Sequence, residues 1–261
     1  MALQQLKPRF LEKLWGSERL EPWFTSHGKK IGEVWFEGPE LPLLVKFLFT
    51  TEKLSVQVHP DDSHAAKHHQ SRGKTEMWHV LAADPGASIA AGFREPLSAD
   101  RLRDAALSGE IEDLLAWHEA SPGDTFFIPA GTVHAIGGGL VLCEIQQYSD
   151  ITYRLYDYGR PRELHIEQSL AVSRRGPHAA RIETVSEELI SCAHFTVGRR
   201  EVRGHSEFAP SPGRFALLIV VSGTGQIDGT RVNPGEVWYL PQGTTPIGVA
   251  GDLTLLWASN A

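Results

Sequence analysis

A thirteen-residue pattern that is written twice constrains this chain more than any other feature. Pro122-Gly-Asp-Thr-Phe-Phe-Ile-Pro-Ala-Gly-Thr-Val-His134 returns as Pro234-Gly-Glu-Val-Trp-Tyr-Leu-Pro-Gln-Gly-Thr-Thr-Pro246, at a constant offset of 112. In both copies a Pro-Gly pair and an acid precede three strand formers and an aliphatic residue, and Pro, Gly and Thr then follow in the same order. The physical reading is a turn, a short buried strand and a second glycine turn. So many agreements in order argue for duplication, and hence for two units of one kind. The copies differ in one respect that matters for chemistry. His134 corresponds to Pro246, so one unit kept an imidazole and the other has none.

The rest of the chain is consistent with that reading. Short β-rich runs separated by Gly, Pro and Asp recur at Leu54 to Val58, Glu76 to Leu81, Phe126 to Ile128, Leu140 to Ile145, Phe215 to Val221 and Val237 to Leu240. Many short strands with turn signals between them indicate a sandwich or barrel. Helical pattern is confined to a stretch that starts after Ser98, a good N-cap, and continues through Ile111 to Trp117, and to Ile166 to Ser173. Asp228-Gly229 reads as a hairpin turn. Arg174-Arg-Gly-Pro interrupts the pattern, which places a boundary between the units near 174 to 185.

Composition narrows the partners. A net charge of -7 over 261 residues argues against a nucleic-acid partner, because no basic face neutralises a phosphate backbone. The apolar runs fall short of the roughly 18 residues of a membrane span, and Met1 to Phe10 lacks an apolar signal core. Cys143 and Cys192 stand far apart and read as free thiols of a reducing, cytoplasmic compartment.

Four polar residues make a plausible cage for a divalent metal: Gln57 and His59 in Leu-Ser-Val-Gln-Val-His-Pro, Glu76 in Lys-Thr-Glu-Met-Trp, and His134. In a strand, residues two apart share a face, so Ser55, Gln57 and His59 point one way, and Lys74, Glu76 and Trp78 align likewise. Two neutral imidazoles, one amide and one carboxylate leave a divalent ion with a formal charge of about +1, still Lewis acidic towards an incoming carbonyl or hydroxyl oxygen. Mixed nitrogen and oxygen donors suit zinc, and by ligand type iron or manganese as well. His64 and His68 are four apart but have no carboxylate arranged with them, so they read as a solvated face.

Gly123 to His134 also fits the second signature of the cupin superfamily, Gly-x5-Pro-x-Gly-x2-His, with Gly138 where that pattern usually has Asn. The chain therefore resembles a bicupin. The fold this implies is all-β: two cupin-type jelly-roll barrels, a catalytic metal-binding one over residues 1–175 with a small helical insertion at about 97–117, and a second, metal-free one over 176–261. The resemblance becomes specific at Leu54-Ser-Val-Gln-Val-His-Pro-Asp-Asp62, Gly73-Lys-Thr-Glu-Met-Trp78, Gly131-Thr-Val-His-Ala135 and the run from Glu144 to Arg160. These segments look like the type I mannose-6-phosphate isomerases, in their short bacterial form. Trp15-Gly16, Gly32-Glu-Val-Trp35 and Lys46 fall in the expected order.

That resemblance implies an aldose–ketose isomerase that interconverts mannose 6-phosphate and fructose 6-phosphate, with one zinc ion per chain held by Gln57, His59, Glu76 and His134. It implies a substrate pocket at Lys46, Ser55 and Lys74, and Arg154 as the arginine on which catalysis depends. The reaction moves a proton between C2 and C1 through a cis-enediol, which calls for positive groups near the carbonyl oxygen and a proton shuttle. Lys74, with its pKa depressed by burial and the metal, Glu144 or a metal-bound water would fill the shuttle role. Glu144 is also placed in the substrate site. The expected partner is a small sugar phosphate, and the expected state a monomer or weak homodimer. Two departures stand out: Ile136 where longer members often carry Tyr, and Leu14 where they have Asp. The competing readings are a non-catalytic sugar-phosphate-binding cupin and another cupin metalloenzyme, such as an iron dioxygenase.

Overall fold

The computed structural model describes residues 3–38, 41–183 and 186–261. Strand Leu43–Thr50 shows why the layers form. Every residue in it is buried, because each of its faces meets a different core. Leu43, Val45, Phe47 and Phe49 enter one apolar cluster, whereas Leu48 enters another and Lys46 turns to a cavity. Its neighbours divide in the same way. Met77 in Glu76–Ala83 and Cys143 and Ile145 in Leu140–Gln147 join the first cluster, while Trp78, Val80 and Leu142 join the second.

These three strands are the centre of a seven-stranded antiparallel sheet, in the order Arg181–Ile182, Thr125–Ile128, Glu76–Ala83, Leu140–Gln147, Leu43–Thr50, Ile31–Phe36, Pro8–Ser17. A five-stranded sheet faces it across the second cluster, in the order Tyr153–Tyr156, Val56–Val58, His134–Ile136, Ser88–Phe93, Leu115–Glu119. The outer face of that smaller sheet is covered by helices Ala99–Ser108, Ile111–Leu114 and Ile166–Val172, with Leu102, Ala105, Ile111 and Leu170 packed on Val56, Val58 and Leu155. The remaining sheet, also seven-stranded, is built around the long strands Phe195–Phe208, Ala216–Ile227 and Ile247–Asn260. There Leu217, Ile219 and Val221 join Phe47 and Phe49, while Ala216, Leu218 and Val220 face a separate core.

The duplicated pattern is a duplicated structure. Gly123 and Gly235 have φ of 94° and 89°, and Gly131 and Gly243 have φ of 86° and 77°, so both turns of both copies use the left-handed region. Their hydrogen bonds correspond as well. Gly123 N donates to Val80 O as Gly235 N does to Val220 O, and Thr132 N donates to Pro129 O as Thr244 N does to Pro241 O.

Details of the expected elements shift. The helical run over Ile111 to Trp117 ends at Leu114, and residues Leu115–Glu119 pair as a strand with Ser88–Phe93, so the insertion is shorter than 97–117. A two-turn helix, Asp62–His69, follows Pro60; the Asp61 side chain accepts from His64 N, and the helix buries only Ala65. With so little apolar surface it has no periodic signature. Asp228 and Gly229, with φ of 49° and 75°, make the hairpin turn expected of them. Two strands cross the expected boundary at 175/176: Gln4–Gln5 pairs with Val237–Leu240, and Arg181–Ile182 pairs with Thr125–Ile128.

Candidate metal centre and substrate pocket

Pairing of three short strands in the five-stranded sheet assembles one side of the site. His134 lies directly across from Gln57, and Gln57 directly across from Arg154 on its other flank. Glu76, at the start of its strand in the facing sheet, completes the group. One nitrogen from each of His59 and His134 and one oxygen from Glu76 all lie within 4.8 Å of one another. All three residues are buried, at 1%, 0% and 1% exposure.

Their protonation suits a cation. His59 Nδ1 faces Ile151 O at 2.8 Å and His134 Nδ1 faces Thr132 O at 2.9 Å, so each ring donates from Nδ1 and turns the Nε2 lone pair inward. Burial keeps both rings neutral: His134 is pushed down to about 3 against the pull of Glu76, and His59 is lowered by burial and then by Lys74. Burial alone would raise the Glu76 carboxyl, yet the Lys74 ammonium holds it well below the usual carboxylate range. His134 Nε2 and Glu76 Oε1 thus face each other at 3.3 Å as two acceptors, and neither has a hydrogen-bond donor among the described residues. Opposed buried lone pairs call for a positive charge between them. The donor set fits a divalent metal.

A cavity of about 410 Å³ opens beside this cluster, lined by Lys46, Ser55, Gln57, Lys74, Glu144 and Arg154 among others. Lys74 Nζ lies 2.8 Å from Glu76 Oε2 and 3.0 Å from His59 Nε2. Lys46 Nζ lies 2.9 Å from Glu144 Oε1 and 4.5 Å over the Trp35 ring, and Trp78 Nε1 donates to Glu144 Oε2 at 3.0 Å. Arg154 is different. Its Nη1 donates to Glu163 O at 2.8 Å, its Nε is buried without a hydrogen bond, and no carboxylate pairs with it among the described residues.

Comparison with known proteins agrees with this geometry. Residues 3–79 match the family model for the catalytic domain of type I phosphomannose isomerase. The chain is 35% identical to mannose-6-phosphate isomerase ManA of Bacillus subtilis, over 91% of this chain and 92% of that one. The chain belongs to the type I phosphomannose isomerases. It is 37% identical to the mannose-6-phosphate isomerase of Streptococcus mutans, over 91% of this chain and 79% of that protein. The crystal structure of the Bacillus subtilis mannose 6-phosphate isomerase superposes with a TM-score of 0.89 at 27% identity, covering 99% of both chains. The all-β fold of this isomerase is thus that of its relatives.

Within this phosphomannose isomerase, His59, Glu76 and His134 bring one ligand atom each to a common point, while Gln57, paired across from His134, lines the adjoining cavity with Lys46, Ser55, Lys74, Glu144 and Arg154. Burial acts to lower the Lys74 pKa, as expected of its place in the wall, whereas Glu76 and Glu144 act to raise it. The depression that a free-base lysine needs is opposed by its own carboxylate neighbours. The two departures also find their places. Ile136 lines the cavity, whereas Leu14 is 73% exposed and alternates outward between Lys13 and Trp15, which do line it. Sequence reasoning missed Lys13, Glu33 and Arg162 on the cavity wall and Trp78 as a donor to Glu144. Alternation on the first long strand carried the signal for Lys13, and Arg162 had none beyond the basic turn at Arg160-Pro161-Arg162.

Proposed function

We propose that this protein interconverts mannose 6-phosphate and fructose 6-phosphate by proton transfer between C2 and C1 through a cis-enediol, with zinc held by Gln57, His59, Glu76 and His134. In this reading residues 1–175 carry the reaction, and 176–261 form a unit without a metal. The observation that carries it is the buried His59–Glu76–His134 group, beside a cavity walled by cations, in a chain of this family. Zinc bound there would act as a Lewis acid on a sugar oxygen.

The side chains divide the remaining work. Arg154 has no carboxylate to neutralise it among the described residues, so its charge is available to the oxygen on which negative charge develops. A guanidinium does not titrate near neutral pH and acts here by charge and orientation. Lys74, whose Nζ lies 2.8 Å from Glu76 Oε2 on the cavity wall, serves as a hydrogen-bond and proton donor to the sugar. Glu144 then supplies the acceptor for the migrating proton, with Lys46 and Trp78 each holding one of its oxygens. Ser55 offers a hydroxyl on the same wall.

Elemental analysis of the purified protein with a coupled assay on mannose 6-phosphate tests this reading. Zinc with turnover supports it. Zinc without turnover indicates a sugar-binding cupin, and iron with oxygen uptake a different metalloenzyme.

A further inference from the structure

The cations of the cavity wall are not equivalent. Three of them are already matched to carboxylates: Lys13 with Glu33 at 3.1 Å, Lys46 with Glu144 at 2.9 Å and Lys74 with Glu76 at 2.8 Å. Positive charge is left over in one place. Arg160 and Arg162 share the single buried carboxylate of Asp157, and Arg154 stands beside them with none among the described residues. Three guanidinium charges meet the Asp157 carboxylate, and Asp150, which also lines the cavity, offsets them only in part. The strain of that arrangement shows in Arg154, whose charge is disfavoured by burial and then by Arg162.

Asp157 holds Arg162 in a defined pose. Arg162 Nε donates to Asp157 Oδ2 and Nη2 to Oδ1, both at 2.6 Å, a two-point grip on one edge of the guanidinium. Its Nη1 is left for another acceptor. Both Arg162 and Arg154 line the cavity. A cavity wall with a surplus of positive charge beside a free guanidinium N–H is complementary to a phosphate monoester, which carries roughly 1.5 to 2 negative charges near neutral pH.

We propose that Arg162, braced by Asp157, anchors the phosphate of the substrate through its free Nη1 and so sets which end of the sugar reaches Arg154 and the Glu76 cluster. The proposal rests on the isomerase reading above. It gives the phosphate contact to Arg162 rather than to Lys46, whose charge is already used within the wall by Glu144 and Trp35.

The test uses the metal-loaded enzyme. Arg162→Gln should raise KM for mannose 6-phosphate about tenfold to a hundredfold, the loss expected for a charge-assisted hydrogen bond. It should weaken competitive inhibition by inorganic phosphate by a similar factor and reduce the preference for mannose 6-phosphate over mannose. A merely structural role would not change that preference. In the wild type, phenylglyoxal labelling mapped by mass spectrometry should show Arg162 protected by millimolar inorganic phosphate, a readout that does not depend on a variant folding. A KM and phosphate inhibition within twofold of wild type, or unprotected Arg162, would overturn the assignment. Absence of mannose 6-phosphate turnover in the wild type would instead remove the isomerase reading, and the two failures are distinct.

Discussion

Lys46 and Glu144 stand directly opposite one another on paired antiparallel strands and form a buried ion pair, with Nζ and Oε1 2.9 Å apart. Removing one partner leaves an uncompensated charge in the core, whereas removing both does not. Lys46→Met or Glu144→Leu alone should therefore lower unfolding free energy by about 3 kcal/mol or more. The double variant should recover more than half of that loss and still lack turnover. Urea denaturation of the four proteins closes the cycle, and additive losses would show that the pair is not coupled.

Metal binding and catalysis should separate by residue. His134→Ala removes one of the inward lone pairs and should leave the protein with well under half of its metal after dialysis. Arg154→Ala should keep the metal and lose turnover by about a hundredfold or more, as for other preorganised charge-stabilising groups. Full occupancy in the first variant would remove His134 from the ligand set, and an undiminished rate in the second would remove Arg154 from the reaction.

Acid should destabilise the fold through His79. This ring is buried beside Thr125, and burial, then Arg199, push its pKa from 6.5 down to about 4, with Asp124 opposing. A folded pKa below the unfolded one means that the unfolded chain binds more protons between those values. The contribution is thus fully present above pH 6.5 and lost as pH falls towards 4. The amount is on the order of 3 kcal/mol. His79→Gln should flatten the acid limb of a stability–pH curve measured by chemical denaturation; an unchanged slope would acquit His79.

The two copies of the repeated turn should respond unequally to alanine. Gly131 and Gly243 share a left-handed φ, which costs a β-carbon about 1 kcal/mol in either place. At Gly131 the added carbon would also lie 2.9 Å from Val172 O, while at Gly243 nothing stands within 4 Å. Gly131→Ala should therefore lower the melting temperature more than Gly243→Ala does, and equal shifts would count against the steric part.

Much of the fold and site is legible in the chain because it rests on local rules. Alternation places Gln57 and His59 on one face, the glycine pair sets the turn before His134, and the duplicated segment announces two related units. What alternation cannot supply is the partner across a sheet. Nothing in the sequence near Trp78 points to Glu144, because their contact joins strands 66 positions apart. The surroundings of Lys74 escape the sequence for the same reason: Glu76 is its neighbour in the chain, but the second carboxylate, Glu144, is brought up only by the folded sheet. Arg162 lies in a turn with no periodic pattern to orient it.

The seven-stranded sheet that bears Lys46, Glu76 and Glu144 has its other side pressed on Leu217, Ile219 and Leu256. A fragment that ended near residue 183 would keep every side chain of the cavity yet expose Val45, Phe47, Cys143 and Ile145 to water, an invitation to aggregate. The part that holds Pro246 thus covers an apolar sheet face of the part that holds His134 and keeps it from water.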